Sequence, residues 1–290
     1  MKTLFKGCGV ALVTPFKGGK VDYAAFDALV KRQLEAGIDA LIVLGTTGEP
    51  TSLSAVEKAL LIDHAVRLAA GHAQVIAGAG GYSTAGVIQD ALQAQELGAD
   101  AILSVTPYYV KCGDEGLLAH YTAIADAIDI PMILYNVPSR TGVNLKPEVA
   151  EKLAAHPKIC GVKEASGDFV QIAAMAEALR GKGNLYCGSD ELNQTMLAMG
   201  AKGVISVTAN VAPEAVKRLC DAALGGDVAE AARMQAALAP LNEALFLAGN
   251  PTPVKAALAE MGLISQEFRL PLVAPKKEVI DRIRQVLATV

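Results

Sequence analysis

The sequence has no tryptophan, few aromatic residues of any kind, no long apolar run and no cluster of basic residues. Aromatic residues make up 4% of the 290 positions, charged residues make up 19%, and the formal net charge is −4. Without a basic cluster, nucleic acids and anionic membranes are poor candidates as partners. Because no run approaches the roughly 20 apolar residues of a membrane-spanning helix, we expect no association with a membrane.

Cysteine and histidine are too few and too scattered to suggest a disulfide framework or a metal site. The five cysteines are an odd number without a Cys-X-X-Cys pair, a pattern typical of reduced cysteines in a cytoplasmic protein. The four histidines lack the spacing of metal ligands. The N-terminus lacks the long apolar region and the cleavage site of a signal peptide. We therefore expect a cytoplasmic protein that binds no metal.

Apolar residues make up 52% of the chain, and many fall into short continuous runs that alternate with helical patterns. Such runs are typical of strands buried on both faces of a parallel sheet. Eight predicted strands span residues 8–13, 40–44, 75–79, 101–105, 132–135, 159–163, 185–187 and 203–207. The helical patterns that follow them span residues 23–36, 55–70, 85–97, 115–127, 147–155, 170–179, 192–199 and 213–224.

Three similar stretches begin at Gly37, Gly98 and Gly200, and each leads from the end of a helix into a buried strand. They start 61 and 102 residues apart, which fits two and four β/α units. Eight such units predict an α/β fold, a (β/α)8 TIM barrel. A doubly wound open sheet is the alternative. Ser54 and Glu57 also form a capping-box pattern at the start of one predicted helix.

The strand pattern ends after residue 224. Residues 227–247, 253–261 and 276–288 show helical patterns, separated by Gly249-Asn250-Pro251 and by Leu270-Pro271. We therefore predict a catalytic barrel over residues 1–224 and a C-terminal helical domain over residues 225–290. The sequence assigns these helices no task beyond packing.

Lys163 is the only charged side chain that we place inside a predicted strand. A lysine held among apolar strands loses hydration, which favours its neutral form. A neutral amine is a nucleophile that can form a Schiff base with a carbonyl substrate. The alternative is a lysine with a buried stem whose amine reaches solvent.

Polar groups follow several other predicted strands, and in a TIM barrel such positions meet at one mouth. Gly45-Thr46-Thr47-Gly48-Glu49 could form an anion-binding nest for a carboxylate, or an ordinary turn. Tyr109 and Tyr135 could transfer protons, or fill apolar space. The Arg140 guanidinium suits a second carboxylate, unless it is simply a surface arginine. Together these groups suggest a 2-oxo acid bound as an imine, which becomes an enamine and attacks an aldehyde.

Five motifs occur in combination, namely GTTGE at 45–49, TPYY at 106–109, YNVPSRTG at 135–142, GVKEA at 161–165 and GVISVTAN at 203–210. Together they resemble the 4-hydroxy-tetrahydrodipicolinate synthase (dihydrodipicolinate synthase) family. The resemblance implies a homotetramer, a dimer of dimers, that condenses pyruvate with L-aspartate 4-semialdehyde in diaminopimelate and lysine biosynthesis. It implies no cofactor beyond the covalent pyruvate imine.

The resemblance also implies a role for each catalytic residue. Lys163 would form the imine with pyruvate, and Tyr135 would be the proton shuttle above it. The Thr47 hydroxyl would link Tyr135 to Tyr109, and Tyr109 would reach in from the neighbouring subunit. The sequence suggests no role for the nearby Cys112.

For the substrate-binding residues, the resemblance implies that Thr46 and Thr47 hold the pyruvate carboxylate and that Arg140 binds the carboxylate of the semialdehyde. Gly188 and the backbone of Ile205 would complete the wall of the site. N-acetylneuraminate lyase and the 2-oxo-3-deoxy sugar acid aldolases are the competing relatives, but they generally lack an arginine at the position of Arg140. A non-enzymatic barrel that senses an oxo acid is a further alternative.

One departure from the family pattern concerns feedback inhibition. Members that lysine inhibits bind it between subunits with a serine, two histidines, an asparagine and a glutamate. The matching positions here are Pro50, Ala55, Lys58, Tyr82 and Gly86, and the Lys58 ammonium would repel the ligand. We therefore predict weak or absent inhibition by lysine.

Overall fold

The computed structural model of this protein describes residues 3–288 and has a closed barrel of eight parallel strands at its centre. A two-stranded hairpin, β2 (Phe16–Lys17) and β3 (Lys20–Val21), follows the first barrel strand. The barrel strands are β1 (Gly7–Ala11), β4 (Ala40–Val43), β5 (Gln74–Gly78), β6 (Ala101–Val105), β7 (Met132–Asn136), β8 (Ile159–Glu164), β9 (Asn184–Cys187) and β10 (Gly203–Ser206). The predicted TIM barrel is confirmed.

Helices surround the barrel and continue beyond it. They are α1 (Tyr23–Glu35), α2 (Ala55–Ala69), α3 (Thr84–Glu96), α4 (Asp114–Ala127), α5 (Pro138–Thr141), α6 (Pro147–Leu153), α7 (Phe169–Ala178), α8 (Asn193–Ala198), α9 (Pro213–Leu224), α10 (Val228–Ala244), α11 (Thr252–Glu260) and α12 (Lys277–Leu287). Every predicted strand and helix is present, with ends shifted by no more than three residues. The sequence analysis predicts neither the hairpin nor α5, because such short elements carry too little periodicity.

The predicted helix signals are also found. The Ser54 side chain accepts a hydrogen bond from the Glu57 N–H, and the Glu57 carboxylate accepts one from the Ser54 N–H, so the capping box is complete. Gly37, Gly98 and Gly200 have φ angles of 74°, 86° and 101°. Such left-handed conformations favour glycine, which explains why it stands at each of these helix ends.

Two apolar layers hold the barrel together, and strand side chains alternate between them. In β4, Ala40 and Ile42 point into the barrel, whereas Leu41 and Val43 point toward the surrounding helices. This alternation is the two-residue period of a strand. A strand that keeps a strict period therefore fixes the direction of every side chain along it.

Strand β8 breaks this period with a bulge. Met132 of β7 pairs with Ile159, but the next residue, Ile133, pairs with Gly161. Cys160 is therefore the extra residue of β8, and the carbonyl oxygen of Cys160 accepts a hydrogen bond from the Asn184 side chain at 2.7 Å. A bulge of this kind reverses the side-chain directions beyond it.

The bulge decides which way Lys163 points. Cys160 belongs to the core inside the barrel, and Val162 belongs to the layer between barrel and helices. With a strict period, a residue three positions after Cys160 would point outward. Because of the bulge, Lys163 points inward and lines the central cavity.

Lys163 is not the only charged residue inside a strand, and that statement of the sequence analysis is wrong. β8 extends by one residue to Glu164, whose side chain is fully buried on the outer side of the barrel. Its carboxylate accepts hydrogen bonds from the Asn136 side chain and the Ser166 N–H. Buried charge needs such partners, so Glu164 joins β7 to the loop after β8.

The C-terminal helices pack against the barrel. α10 contacts α8 and α9, and α12 contacts α10 and α11. α9 ends at Leu224 and α10 begins at Val228, so the boundary predicted after residue 224 falls in the turn between them. The division into two domains stays a prediction. Within residues 3–288, none of the helices combines the length and apolar character needed to cross a membrane.

Candidate active site

A cavity of about 860 Å³ opens at the C-terminal ends of the barrel strands. This is the end at which TIM-barrel enzymes carry their active sites. The structure brings six of the predicted site residues to its wall, namely Thr46, Thr47, Tyr135, Arg140, Lys163 and Gly188.

Lys163 lies at the bottom of this cavity and is only 5% exposed. It is paired in register with Tyr135 of the neighbouring strand, and the Lys163 Nζ lies 4.4 Å from the centroid of the Tyr135 ring. The amine therefore faces a phenol across the base of the cavity, where a carbonyl compound could reach both.

Gly188 leaves the space in which the lysine stem lies. A Cβ at this position would lie 2.8 Å from the Lys163 Cε and 2.8 Å from the Ala165 Cβ. Real Cβ contacts are longer, so a side chain here would push on the lysine or on the loop after β8. Gly188 thus lies on the wall of the cavity, beside the lysine stem.

The stretch after β4 forms a single 3-10 turn over Thr46–Gly48. The N–H groups of Gly48 and Glu49 donate to carbonyls of this same turn. The N–H groups of Thr46 and Thr47 begin the turn, and a helical turn leaves its first donors without a partner of its own. The donors that this turn offers to a carboxylate are therefore the N–H groups and hydroxyls of the two threonines.

Glu49, which directly follows this turn, forms an ion pair with a lysine that the sequence analysis did not assign to the site. Lys255 in α11 is fully buried, and the Lys255 Nζ lies 2.5 Å from the Glu49 Oε1. The Lys255 Nζ also lies 4.1 Å from the centroid of the Phe16 ring. Burial lowers the pKa of Lys255, and the Glu49 carboxylate opposes that shift. The pair ties the C-terminal helices to the turn after β4.

Asn250 is a second residue that the sequence analysis did not assign to the site. The Asn250 Nδ2 donates to the Thr47 Oγ1 at 3.0 Å, and the Arg140 Nη2 donates to the Asn250 carbonyl oxygen at 3.0 Å. Asn250 lies in the Gly249–Pro251 break between two predicted helices. The sequence could have indicated a role for Asn250 only through its position, a polar residue in a break between two helices. It does not show which loop of the barrel this break contacts.

Arg140 lies in α5 and lines two cavities. The second one has a volume of about 310 Å³ and adjoins the first at Thr46, Tyr135 and Arg140. The Arg140 guanidinium therefore stands between two openings. In the larger cavity it is available to a carboxylate that enters above Lys163.

Tyr109 and Ile205 do not line the large cavity. Tyr109 is 89% exposed and has a φ angle of 73°, so its side chain lies on the surface of its own subunit. Ile205 is 1% exposed and packs inside the barrel. The structure tests neither the role predicted for Tyr109 nor that predicted for Ile205, and both stay predictions.

Cys112, near Tyr109 in sequence, is half-buried, and burial raises the pKa of its thiol.

The smaller cavity contains part of the region considered for lysine inhibition. Pro50 and Lys58 line it, together with Asp90, which the sequence analysis did not include. The Lys58 Nζ lies 3.8 Å from the Asp90 Oδ2. The Lys58 ammonium therefore has an acidic partner. This ion pair does not test the prediction of weak inhibition by lysine.

The sequence profile of the dihydrodipicolinate synthetase family matches residues 4–290. The chain belongs to this family. Within residues 3–288, no three His, Cys, Asp or Glu side chains lie together as metal ligands would.

Members of the dihydrodipicolinate synthetase family are similar to this chain over almost its full length. The 4-hydroxy-tetrahydrodipicolinate synthase of Thermodesulfovibrio yellowstonii is 45% identical over 284 residues, which is 98% of each protein. The structure of dihydrodipicolinate synthase from Thermotoga maritima has a TM-score of 0.97 at 41% identity and covers 99% of this chain and 98% of that one. The Acinetobacter baumannii enzyme, solved in complex with pyruvate, has a TM-score of 0.96 at 43% identity and covers 98% of both chains. The predicted family is confirmed.

Proposed function

We propose that this protein condenses pyruvate with L-aspartate 4-semialdehyde to 4-hydroxy-tetrahydrodipicolinate, a step of diaminopimelate and lysine biosynthesis. The observation that carries the proposal is the buried Lys163 amine, 4.4 Å from the Tyr135 ring inside the barrel. Membership of the dihydrodipicolinate synthetase family supports the same reaction. The enzyme is then a lyase of the Schiff-base type.

In the first half of the reaction, the Lys163 Nζ attacks C2 of pyruvate. The C2 oxygen leaves as water, and an imine joins the substrate to the lysine. The imine withdraws electrons from C3, so C3 loses a proton and an enamine forms. Tyr135 faces the amine and is the group proposed to carry protons to and from these atoms.

The threonines after β4 hold the pyruvate carboxylate in this scheme. The N–H groups of Thr46 and Thr47 and the Thr46 hydroxyl supply donors without a fixed positive charge. Hydrogen bonds to a charged acceptor are stronger than those between neutral groups. The two threonines therefore fix C2 of pyruvate relative to the Lys163 amine.

In the second half, C3 of the enamine attacks the aldehyde carbon of the semialdehyde. A carbon–carbon bond forms, and the aldehyde oxygen takes up a proton. The amino group of the semialdehyde then displaces Lys163 from C2, which closes the ring and frees the enzyme. Arg140 is proposed to bind the carboxylate of the semialdehyde during these steps. The covalent imine provides the electron sink, so the scheme needs no cofactor.

Tyr109 is proposed to act in the site of a neighbouring subunit, in a homotetramer built as a dimer of dimers. Its side chain is 89% exposed in a single subunit, and the next residue, Val110, is 52% exposed. An exposed tyrosine beside an exposed valine suits a subunit interface, where aromatic residues are enriched. In this arrangement the Thr47 hydroxyl links Tyr135 to the neighbour's Tyr109.

The reaction is tested by following pyruvate consumption with and without the semialdehyde, coupled to a reductase that consumes the cyclic product. We expect turnover that requires both substrates and falls about 100-fold or more in Arg140→Ala, because a bound carboxylate loses its charged partner. Arg180→Ala is the matched control, since the Arg180 side chain is 74% exposed and pairs with Glu177 on the surface. It should leave turnover unchanged.

Two results would contradict the proposal. Borohydride trapping of pyruvate on Lys163 together with turnover of only hydroxylated aldehydes would indicate a sugar acid aldolase or N-acetylneuraminate lyase. Trapping without turnover of any aldehyde would indicate a protein that senses oxo acids.

A further inference from the structure

Asn250 contacts both ends of the proposed active site. It belongs to the break between α10 and α11 and is 7% exposed. Its side-chain Nδ2 donates to the Thr47 Oγ1 at 3.0 Å, and its carbonyl oxygen accepts from the Arg140 Nη2 at 3.0 Å. One residue of the C-terminal segment therefore touches the threonine proposed for pyruvate and the arginine proposed for the semialdehyde.

The contact with Thr47 fixes the direction of a proton. A threonine hydroxyl has one proton to donate and can accept on the other side of its oxygen. Because the Asn250 N–H occupies the oxygen as a donor, the Thr47 proton turns toward another acceptor. Tyr135 lies on the wall of the same cavity as Thr47, so the phenol of the proposed shuttle is the acceptor that we assign to this proton.

A buried ion pair keeps Asn250 and Thr47 together. Lys255 follows Asn250 by five residues and Glu49 follows Thr47 by two, and the Lys255 Nζ lies 2.5 Å from the Glu49 Oε1. Both side chains are at most 1% exposed. Since separating such a pair would leave charges buried without partners, the two segments stay in contact.

The side-chain oxygen of Asn250, unlike its Nδ2, has no hydrogen-bond partner among the described residues. Within residues 3–288, the Asn250 Oδ1 is buried and makes no hydrogen bond. An unsatisfied buried acceptor destabilises the folded protein, so an apolar residue would serve better if the position were needed only for packing. The amide N–H is the part of the side chain that the structure uses.

We propose that Asn250 is a positioning residue, which orients the Thr47 hydroxyl as a donor to the proton shuttle and supports Arg140 through its backbone. The proposal rests on the proposed function for the identity of the shuttle. It gives the C-terminal segment a part in the chemistry, acting through Thr47 and Arg140 without contact to the reacting atoms.

The side-chain contact can be tested separately from the backbone contact. Asn250→Asp keeps the shape of the side chain but can only accept from a hydroxyl, so it would turn the Thr47 proton away from the phenol. Asn250→Ala removes the donor. The bond from Arg140 goes to the backbone carbonyl, and neither variant removes it.

Asn193→Ala provides a matched control. Asn193 is 2% exposed, the Asn193 Nδ2 donates to the Asp190 Oδ1 at 3.1 Å, and the Asn193 Oδ1 is also buried without a partner within the described chain. It is absent from the wall of the large cavity. It therefore resembles Asn250 in burial and bonding but has no link to Thr47.

The experiment measures exchange of the pyruvate methyl protons with deuterium in heavy water, alongside borohydride trapping. Exchange needs the imine and the proton shuttle but no aldehyde. We expect both Asn250 variants to trap pyruvate with a half-saturating concentration close to that of the wild type. Exchange should be about 10- to 100-fold slower, in the range of general acid–base contributions, and Asn193→Ala should exchange at the wild-type rate.

Equal exchange rates in Asn250→Asp and the wild type would overturn the proposal. So would a parallel loss of trapping and exchange, which would show that Asn250 only maintains the shape of the site. In a Thr47→Val background, Asn250→Ala should cause no further loss, because the proton that it directs is gone, and an additive loss would also count against the proposal. If the wild type exchanges methyl protons but does not consume the semialdehyde, the proposed function fails while this comparison still decides the role of Asn250.

Discussion

At Gly188, the absence of a side chain determines whether Lys163 has room to react. We predict that Gly188→Ala slows trapping of pyruvate by borohydride about 5- to 150-fold, because overpacking typically costs about 1–3 kcal/mol and the added Cβ would lie 2.8 Å from the Lys163 Cε. Gly113→Ala is the control, since a Cβ there has no neighbour within 4 Å among the described residues. Trapping by Gly188→Ala at the wild-type rate would show that the lysine stem can move aside.

The buried Lys255–Glu49 pair allows a second prediction about single residues. Lys255→Met leaves the Glu49 carboxylate buried without its charged partner, and we expect the free energy of unfolding in urea to fall by about 3–5 kcal/mol. The double variant Glu49→Gln with Lys255→Met should recover most of this loss, because no charge then remains buried. A loss below about 1 kcal/mol in Lys255→Met would mean that water reaches Glu49.

Among the structural elements, the bulge of β8 sets the direction in which Lys163 points. We predict that Gly161→Ala abolishes trapping of pyruvate on Lys163 in protein that still folds, because a Cβ at Gly161 would lie 2.2 Å from the carbonyl oxygen of Asn184. The backbone must then shift at the point that sets the direction of Lys163. Trapping is measured by mass spectrometry after borohydride reduction, and a wild-type yield would show that Lys163 points inward without the bulge.

The elements themselves could be predicted because their periods differ. Continuous apolar runs and helical patterns gave all eight strands, since strands buried on both faces need apolar side chains throughout. The bulge could not be predicted, because Ile159–Glu164 reads the same with or without an extra residue at Cys160. Its only trace is Gly161, and a glycine in a strand also suits other close contacts.

The site was predictable where chemistry is local and not where it depends on distant contacts. Lys163 and Tyr135 lie in the last two residues of their strands and the threonines follow β4, so the barrel alone brings them together. Asn250 and Lys255 come from the C-terminal segment and meet their partners more than 200 residues away in sequence. No local pattern specifies which loop they contact.

For the whole molecule, a bidentate ion pair joins the segment after α11 to α2, and its strength depends on pH. The Arg269 Nη2 lies 2.6 Å from the Glu57 Oε1, and hydrogen bonds from Arg269 lower the pKa of Glu57 from 4.5 to about 2. The folded protein therefore binds fewer protons here than the unfolded chain between these values. This contribution to stability is fully present above pH 4.5 and is lost as the pH falls toward 2.

Removing the Glu57 charge should remove that contribution. We expect Glu57→Gln to lower the free energy of unfolding by about 1 kcal/mol at neutral pH, with the difference from wild type vanishing near pH 2. Denaturant unfolding at several pH values measures it. Glu177→Gln is the control, because the Glu177 and Arg180 side chains are 70% and 74% exposed, and it should change stability less. A difference that persists unchanged at low pH would contradict the assignment.

Feedback inhibition concerns the assembled molecule and gives a final prediction. We expect micromolar lysine to leave the rate of condensation unchanged, because Pro50, Ala55, Tyr82 and Gly86 offer no charged side chain to an amino acid and Lys58 carries a positive charge. Asp90, 3.8 Å from Lys58, lines the smaller cavity and is a carboxylate that could receive an ammonium. If micromolar lysine halves the rate, Asp90→Asn should relieve the inhibition.

The position of Asn250 and Lys255 also affects the order in which the enzyme is made. All eight barrel strands lie before residue 207, so a chain emerging from the ribosome contains Lys163 and Tyr135 well before it contains Asn250. In that interval the Asn250 donor to the Thr47 hydroxyl and the Lys255 ammonium that pairs with Glu49 are both absent. If Asn250 has the proposed role, the site of a nascent chain lacks both of these partners until the segment between α10 and α11 and helix α11 have been synthesised.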